Sequence, residues 1–196
     1  MSDRRILRKA LRAARAGLSP AERARSSRQI ARWIAGTHWL APGRRVAIFM
    51  SMPEEIDTAP LIELAHRRGC ELFFPRIESL RQRRLSFTPP GANLLRNRLG
   101  IVEFCGAARK AAAAMQIIFV PLVGFDRRGN RLGMGAGFYD RALAFRRRRR
   151  HWRGPLLIGI AHSCQQTSAI ETLPTDVPLD AIVTERGIGF FRGESA

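Results

Sequence analysis

The stretch Ile117-Ile118-Phe119-Val120-Pro121, continued after a short turn by Asn130-Arg131-Leu132-Gly133-Met134-Gly135-Ala136-Gly137-Phe138-Tyr139-Asp140-Arg141, decides how this chain folds. Its first part is an unbroken apolar run of β-branched and aromatic residues, the pattern of a strand buried on both faces, and Pro121 stops it. Its second part sets three glycines at alternate positions between an arginine and an aromatic-aromatic-acid triplet. A helix is predicted to follow, from about Phe138 to Arg149. Strand, loop and helix make half of an α/β unit, with the loop at the carboxyl end of its strand, where open α/β sheets bind ligands.

The composition of the loop points to an anion. Gly133, Gly135 and Gly137 let the backbone approach a ligand closely and take positive φ where needed. Successive main-chain N–H groups can then converge on phosphate oxygens, and a helix beginning nearby adds its positive end. Arg131 and Arg141 bracket the loop with cations suited to phosphate. Asp140 could hold a divalent metal beside it. This is the chemistry of a nucleoside triphosphate site, although the loop has neither the Gly-Lys-Ser/Thr ending of a Walker A motif nor the G-x-G-x-x-G spacing of a dinucleotide fingerprint.

The flanking sequence carries the same alternation. Asp3 to Ala16 reads as a helix with Ile6, Leu7, Ala10, Leu11 and Ala14 on its apolar face and Arg4, Arg8, Arg12 and Arg15 on a neighbouring one; Gly17 ends it. Ser19-Pro20-Ala21-Glu22 is a capping box opening a second helix, whose inner stripe is Ile30, Trp33 and Ile34. Val46 to Met50 is a buried strand, Asp57 or Thr58 caps the next helix, and Cys70 to Phe74 is a strand. Together these form a strand–helix–strand unit with parallel pairing. Leu85 to Phe87 reads as a short strand, Ile101 to Phe104 as weakly extended, and the alanine-rich Ala107 to Met115 as a short helix. Leu156 to Ala161 and Ala181 to Thr184 are further strands. The fold class expected is α/β, a single three-layer α/β/α domain over residues 1–196 with a mainly parallel sheet.

The 196 residues suit one domain. No apolar run approaches the length of a membrane span, and the charged N-terminus lacks the uninterrupted apolar region of a secretory signal. Cys70, Cys105 and Cys164 are widely spaced and form no metal or redox motif, so a reduced, cytoplasmic protein is expected. The formal net charge of +18 is nearly all arginine and attracts polyanions. Nucleic acid is one candidate; a nucleotide or a polyglutamylated small molecule is another. No RNA-binding motif accompanies the charge, so no nucleic-acid partner and a monomeric state are expected. The run Arg146 to Arg150 reads as a solvated helix end favourable at the negative pole of the dipole, with polyglutamate or RNA attraction as the alternative.

The segment Ile117 to Arg141 closely resembles the signature of the 5-formyltetrahydrofolate cyclo-ligase family. Three further blocks agree, in the family's order: Arg4-Arg5-Ile6-Leu7-Arg8, Ser51-Met52-Pro53-Glu54-Glu55-Ile56-Asp57-Thr58, and Gln165 with Leu173-Pro174 and Asp176 to Thr184. The resemblance implies ATP- and Mg2+-dependent cyclisation of 5-formyltetrahydrofolate, with or without a polyglutamate tail, to 5,10-methenyltetrahydrofolate, releasing ADP and phosphate. Transfer of the γ-phosphoryl group to the formyl oxygen makes a leaving group of it, and N10 then closes the ring. Such chemistry calls for positioning and charge stabilisation more than for a covalent protein nucleophile.

Carried over residue by residue, the resemblance assigns ATP contacts to Arg4, Arg8 and the loop Arg131, Leu132, Gly133, Met134, Gly135, Ala136, Gly137, Phe138 and Tyr139. Arg131 is the candidate catalytic cation. Asp140 and Asp176 are the candidate magnesium ligands, and Met50 and Glu55 the candidate folate contacts. Taken alone, the aspartates would read as caps or turn residues, Arg4 and Arg8 as a solvated face, Glu55 as an acid at a helix start and Met50 as core. Three positions depart from the pattern: arginine for the commoner lysine at Arg4, Phe104 where proline is common, and Phe138 for a frequent tyrosine. Two other readings remain open on the residues: a basic RNA-associated protein, and an enzyme acting on another N-formyl or amide substrate.

Overall fold

The structure is a computed structural model that describes residues 3–91, 93–98, 100–148 and 154–191. In chain order the helices are α1 (Asp3–Ala16), α2 (Pro20–Ala35), α3 (Ala59–Arg67) and α4 (Phe138–Ala142). The strands are β1 (Arg45–Ala47), β2 (Glu71–Ser79), β3 (Arg84–Thr88), β4 (Leu94–Arg96), β5 (Val102–Phe104), β6 (Ile117–Pro121), β7 (Gly124–Phe125), β8 (Arg131–Leu132), β9 (Leu156–Ile160), β10 (Ala181–Thr184) and β11 (Gly187–Phe190). Seven strands form one sheet in the order β11-β10-β9-β6-β1-β2-β3. The five inner strands pair parallel, and β3 and β11 run antiparallel at the edges.

Both faces of this sheet are covered, which is why the central strands β6 and β9 carry no polar side chain. Alternate residues divide between the two sides. Val46, Leu72, Phe74, Ile117, Phe119, Ile158 and Val183 pack against Ile30 and Ile34 of α2 and Leu61, Leu64 and Ala65 of α3. Ala47, Phe73, Ile118, Val120, Leu157 and Ile182 face the other way, toward Met115, Leu143, Leu179 and Tyr139. The architecture is therefore a mostly parallel sheet flanked by helices, as expected.

The strand order reverses between β1 and β6: from β1 the chain crosses to β2 on one side, and from β6 to β9 on the other. The connection after β1 enters α3 on one face, and the connection after β6 enters α4 on the other. The two connections diverge and leave a crevice beyond the carboxyl ends of these strands, the topological switch point of an open sheet.

Several local expectations are corrected. β1 stops at Ala47; Ile48 still donates to Phe73 O at 2.9 Å, and the chain then leaves the sheet toward the crevice. No regular α-helix forms over Ala107 to Met115, where only a 3-10 turn at Ala112–Ala114 is found, because the Lys110 backbone pairs in both directions with Phe87 of β3. The helix predicted from Phe138 breaks after Ala142. A 3-10 turn follows at Ala144–Arg148, which buries Leu143 and brings Arg146 onto Asp180 in a bidentate pair at 2.8 and 3.0 Å. Arg146 is thus a structural cation rather than part of a solvated helix end, and Arg147 donates to Thr175 O. Arg149 and Arg150 lie outside the described residues. Trp33 is 40% exposed rather than part of the inner stripe of α2. The capping box at Ser19 and Glu22 is present as predicted. At α3, Asp57 rather than Thr58 accepts from the first turn; Thr58 points inward and donates to Phe49 O.

α1 departs most from its predicted face. Ile6, Ala10 and Ala14 are exposed, and only Leu7 and Leu11 make apolar contacts, with Val123, Leu132 and Ile170. The inward stripe is Arg4, Leu7, Arg8, Leu11 and Arg15, spaced by three and four. Three cations lie on the buried side because each has a partner across the interface.

Candidate active site

The crevice at the switch point is a cleft of about 400 Å3. The β1 side contributes Phe49, Met50, Met52 and Glu55; the β6 side contributes Pro121, Leu122, Arg131, Gly133, Met134 and Ala136 to Asp140. Pro75, Ile77 and Leu85 of the β2–β3 hairpin and Ile101 to Glu103 close the remaining walls. The walls are mainly apolar with a few convergent charges, the usual make-up of a small-molecule site.

The loop is built outward from a buried turn. Asp126, 1% exposed, accepts main-chain N–H bonds from Arg128, Asn130 and Ile170 and a side-chain bond from Asn130, all at 2.9–3.0 Å. β7 and β8 then pair, which fixes Arg131 and Leu132. Gln165 reaches in from the end of β9 and donates to Leu122 O and Val123 O at 2.9 and 3.0 Å, satisfying carbonyls that the loop leaves without sheet partners. Gly135 and Gly137 have φ of +105° and +71°, which a side chain would strain. Gly133 has no such φ; its carbonyl instead accepts Arg8 Nε at 2.8 Å. Among the described residues, the main-chain N–H groups of Met134, Gly135 and Ala136 have no acceptor. α4 is capped by Gly137 and spans only five residues, so its dipole adds little.

The charged residues form a connected set. Arg131 is 3% exposed at its side chain, and its Nη2 donates to Asp140 Oδ1 at 2.5 Å. The same oxygen accepts Val177 N at 3.2 Å, which brings Asp140 against the residue next to Asp176. Asp176 Oδ2 accepts Arg4 Nη1 at 2.7 Å and Leu173 N at 2.9 Å, and Arg4 also donates to Glu171 O. Each carboxylate therefore commits one oxygen to a guanidinium and a main-chain N–H, and its other oxygen has no partner among the described residues. The Nε groups of Arg4 and Arg131 are buried without an acceptor. Burial, and Arg4 beside it, pull the Arg8 guanidinium down from its ordinary value, against Asp176. No group of three or more His, Cys, Asp or Glu side chains fit for a metal occurs among the described residues.

On the opposite side of the cleft, Glu55 Oε2 accepts Met52 N at 3.0 Å. Burial pushes the Glu55 carboxyl up; the Met52 bond and the Arg15 charge oppose that shift. Met50 lines the same wall. Tyr139 lies between the two sides: burial and the Glu55 carboxylate push its phenol up, and Arg131 opposes them. The structure thus brings Met50, Glu55, Arg131, Gly133, Met134, Ala136, Gly137, Phe138, Tyr139 and Asp140 to one cleft. Arg8 reaches it through the Gly133 carbonyl, and Arg4 and Asp176 adjoin it through Val177. Leu132 is buried behind the loop, and Gly135 lies under the Arg8 guanidinium.

Sequence reasoning missed three residues. Arg15, 2% exposed, reaches the Glu54–Glu55 pair from α1; its place in the same i, i+4 and i+3 row as Arg4, Arg8 and Leu11 was the available signal. Glu103 lines the cleft and accepts Ile77 N and Asn97 Nδ2 at 2.9 and 2.8 Å, so it holds the wall in place. His162, 1% exposed, has both ring nitrogens buried without hydrogen-bond partners among the described residues, and its place just after a strand end was the one mark in its sequence context.

Comparison with known proteins identifies the family and the fold. The family model of the 5-formyltetrahydrofolate cyclo-ligase family matches residues 1–185. The chain is 33% identical over 178 residues to the 5-formyltetrahydrofolate cyclo-ligase of Escherichia coli strain K12, covering 89% of this chain and 96% of that one. It is 29% identical to the Haemophilus influenzae cyclo-ligase, covering 90% and 94%. Among solved structures, the 5,10-methenyltetrahydrofolate synthetase of Aquifex aeolicus superposes with a TM-score of 0.81 at 28% identity, covering 98% of this chain and 95% of that one. The Mycoplasma pneumoniae synthetase, at 24% identity and a TM-score of 0.73, shares the fold. With the signature loop, the flanking blocks and the sheet all in agreement, the chain belongs to the 5-formyltetrahydrofolate cyclo-ligase family.

Proposed function

We propose that this protein converts 5-formyltetrahydrofolate to 5,10-methenyltetrahydrofolate at the expense of ATP, with Mg2+, acting as a single-domain, cytoplasmic monomer without a nucleic-acid partner. The observation that carries this reading is the cleft itself, where Glu55 and Met50 face a cationic, glycine-rich loop across one apolar cavity. A folate needs an apolar slot for its rings and a carboxylate that accepts paired hydrogen bonds from the pterin N–H groups; Met50 and Glu55 fit these needs. A triphosphate needs donors and cations, and three main-chain N–H groups without acceptors, with Arg4, Arg8 and Arg131, fit those.

The metal fits as well. Among the described residues Asp140 and Asp176 each keep one oxygen without a partner, and magnesium is commonly held by one or two carboxylates with water and phosphate oxygens completing its shell. Bound there, it would supply charge neutralisation to the phosphate oxygens. The residues of the chain do the rest. Glu55 fixes the pterin, so that the formyl oxygen faces the loop. The loop N–H groups and Arg8 orient the phosphates. Arg131, held rigid by burial and by Asp140, stabilises the charge that develops as the γ-phosphoryl group passes to the formyl oxygen. The apolar walls keep water from the activated formyl carbon while N10 attacks it and phosphate departs.

The test is direct. The purified protein, given 5-formyltetrahydrofolate, ATP and magnesium together, is expected to generate the near-ultraviolet absorbance of methenyltetrahydrofolate, and to generate none when any one is omitted. Turnover independent of ATP, or ATP hydrolysis prompted only by a different formyl compound, overturns the reading.

A further inference from the structure

The last turn of α1 carries a cation that the cleft chemistry above does not use. Arg15 is 2% exposed, and its Nε is buried without an acceptor. Nη2 donates to Glu54 Oε2 at 3.1 Å, and Nη1 lies 3.9 Å from Glu55 Oε1. A guanidinium does not give up its proton in a protein, so burying one with so few hydrogen bonds is costly and leaves stability unrecovered unless nearby negative charge compensates. The compensating charges are the adjacent carboxylates of the β1 connection, one of which, Glu55, lines the cleft.

We propose that Arg15 is the positioning residue of the folate-binding site, locking the 51–55 turn through Glu54 and holding the Glu55 carboxylate charged and facing the cleft. This rests on the reading that Glu55 binds the substrate. The two oxygens of Glu55 are used differently. Oε2 is taken by Met52 N at 3.0 Å. Oε1 meets Arg15 at a distance that supports charge attraction but is too long for a hydrogen bond, so its lone pairs stay available to an incoming donor. Arg15 thus stabilises the charge without occupying the acceptor.

Burial and the neighbouring Glu54 on the same turn disfavour that charge, and the Met52 N–H bond favours it. Tyr139 of α4 feels the Glu55 charge, Glu103 of β5 and Arg131 of β8 line the same cleft, and Asp57 and Arg96 line the cavity that adjoins it across Glu55. Arg131, which lines the cleft, is closed onto Asp140, and among the described residues Arg15 is the cation in ion-pair range of Glu55. A neutral Glu55 would present a donor where the pterin also presents donors, and binding would weaken.

The experiment compares wild type with Arg15→Met, Arg15→Gln and Arg15→Lys by steady-state kinetics across pH. Arg15→Met is expected to raise the KM for 5-formyltetrahydrofolate at least tenfold, to leave the KM for ATP within twofold, and to move the acid limb of kcat/KM for the folate to higher pH. Arg15→Lys, which keeps the charge, is expected to recover most of both changes. A folate KM within twofold of wild type, or both KM values rising in parallel, overturns the proposal. If the methionine variant does not fold, the glutamine and lysine variants, which keep a polar group in place, carry the test. The lysine acid limb must then lie nearer wild type than the glutamine limb, and coincident limbs overturn the proposal. Absence of folate turnover in the wild type would remove the underlying reading of Glu55 instead, so the two failures are distinct.

Discussion

Arg131 Nη2 and Asp140 Oδ1 meet at 2.5 Å across the glycine loop, and Val177 N donates to the same oxygen at 3.2 Å. One carboxylate thereby fixes the buried cation of the loop and ties it to the segment that carries Asp176. Asp140→Asn removes the counter-charge of Arg131 while keeping the shape. Leaving a buried guanidinium uncompensated costs about 3 kcal/mol, so the urea midpoint is expected to fall with an unchanged slope. If Asp140 is also a metal ligand, half-maximal activation is expected to need at least ten times more magnesium. An unchanged magnesium titration would restrict Asp140 to the structural role.

Arg131 is assigned to charge that exists only in the transition state. Arg131→Ala is therefore expected to lower kcat by roughly a thousandfold, the order found when one such stabilising group is removed. Folate binding, measured by equilibrium titration without nucleotide, is expected to change by less than threefold. A loss of folate affinity as large as the loss of kcat would place Arg131 in ground-state binding instead.

Leu11 of α1 packs directly over Gly124. A Cβ there would lie 2.3 Å from Leu11 Cδ1 and 3.3 Å from Gln165 O. Gly124→Ala has to displace Leu11, because the carbonyl behind it is fixed, and such overpacking costs about 1–3 kcal/mol. Since α1 also carries Arg4 and Arg8, the KM for ATP is expected to rise along with the loss of stability. A destabilised variant with an unaltered KM for ATP would mean that the helix can shift without moving those cations.

His162 gives a pH prediction. Burial holds its ring down at about 4, against the opposing charge of Glu185. The unfolded chain takes up this proton near pH 6.5, and the folded one refuses it until about pH 4. The stabilisation from keeping His162 neutral is therefore complete above pH 6.5 and is lost progressively toward pH 4, on the order of 2–3 kcal/mol. His162→Leu is expected to flatten urea-measured stability over that window. An equally steep slope in the variant would assign the acid sensitivity elsewhere.

Much of this was legible in the residues, for reasons that differ by element. The strands Ile117–Pro121 and Leu156–Ile160, and Ala181–Val183 ahead of Thr184, are apolar because helices cover both faces, and a doubly buried strand is plain in sequence. The capping box at Ser19 is a local hydrogen-bond pattern and needs no tertiary partner. The failures are places where tertiary contact overrode a local pattern. Lys110 pairs with β3 in the middle of an alanine-rich run, and Leu143 turns into the core where a continuous helix was expected. The arginines of α1 read as a solvated face, since their acceptors at Gly133, Glu54 and Asp176 are distant along the chain. The convergence of Met50, Glu55 and most of the loop residues on one cleft was expected from motif; the helical row of Arg15 marked its face, but its pairing with the turn that carries Glu55 had no signal, because no spacing rule links the two.

The way α1 is fastened has a further consequence. Among the described residues, Leu7 and Leu11 anchor this fourteen-residue helix by apolar contact, and the guanidinium groups of Arg4, Arg8 and Arg15 tie it to carbonyls and carboxylates on three separate loops. A segment attached in this way opens at a lower free energy than the sheet. Amide hydrogens of α1 are therefore expected to exchange with deuterium ahead of those of β6 and β9, and to slow when anionic ligands draw its guanidinium groups together. The helix then works as a latch whose protection against exchange reports how full the cleft is.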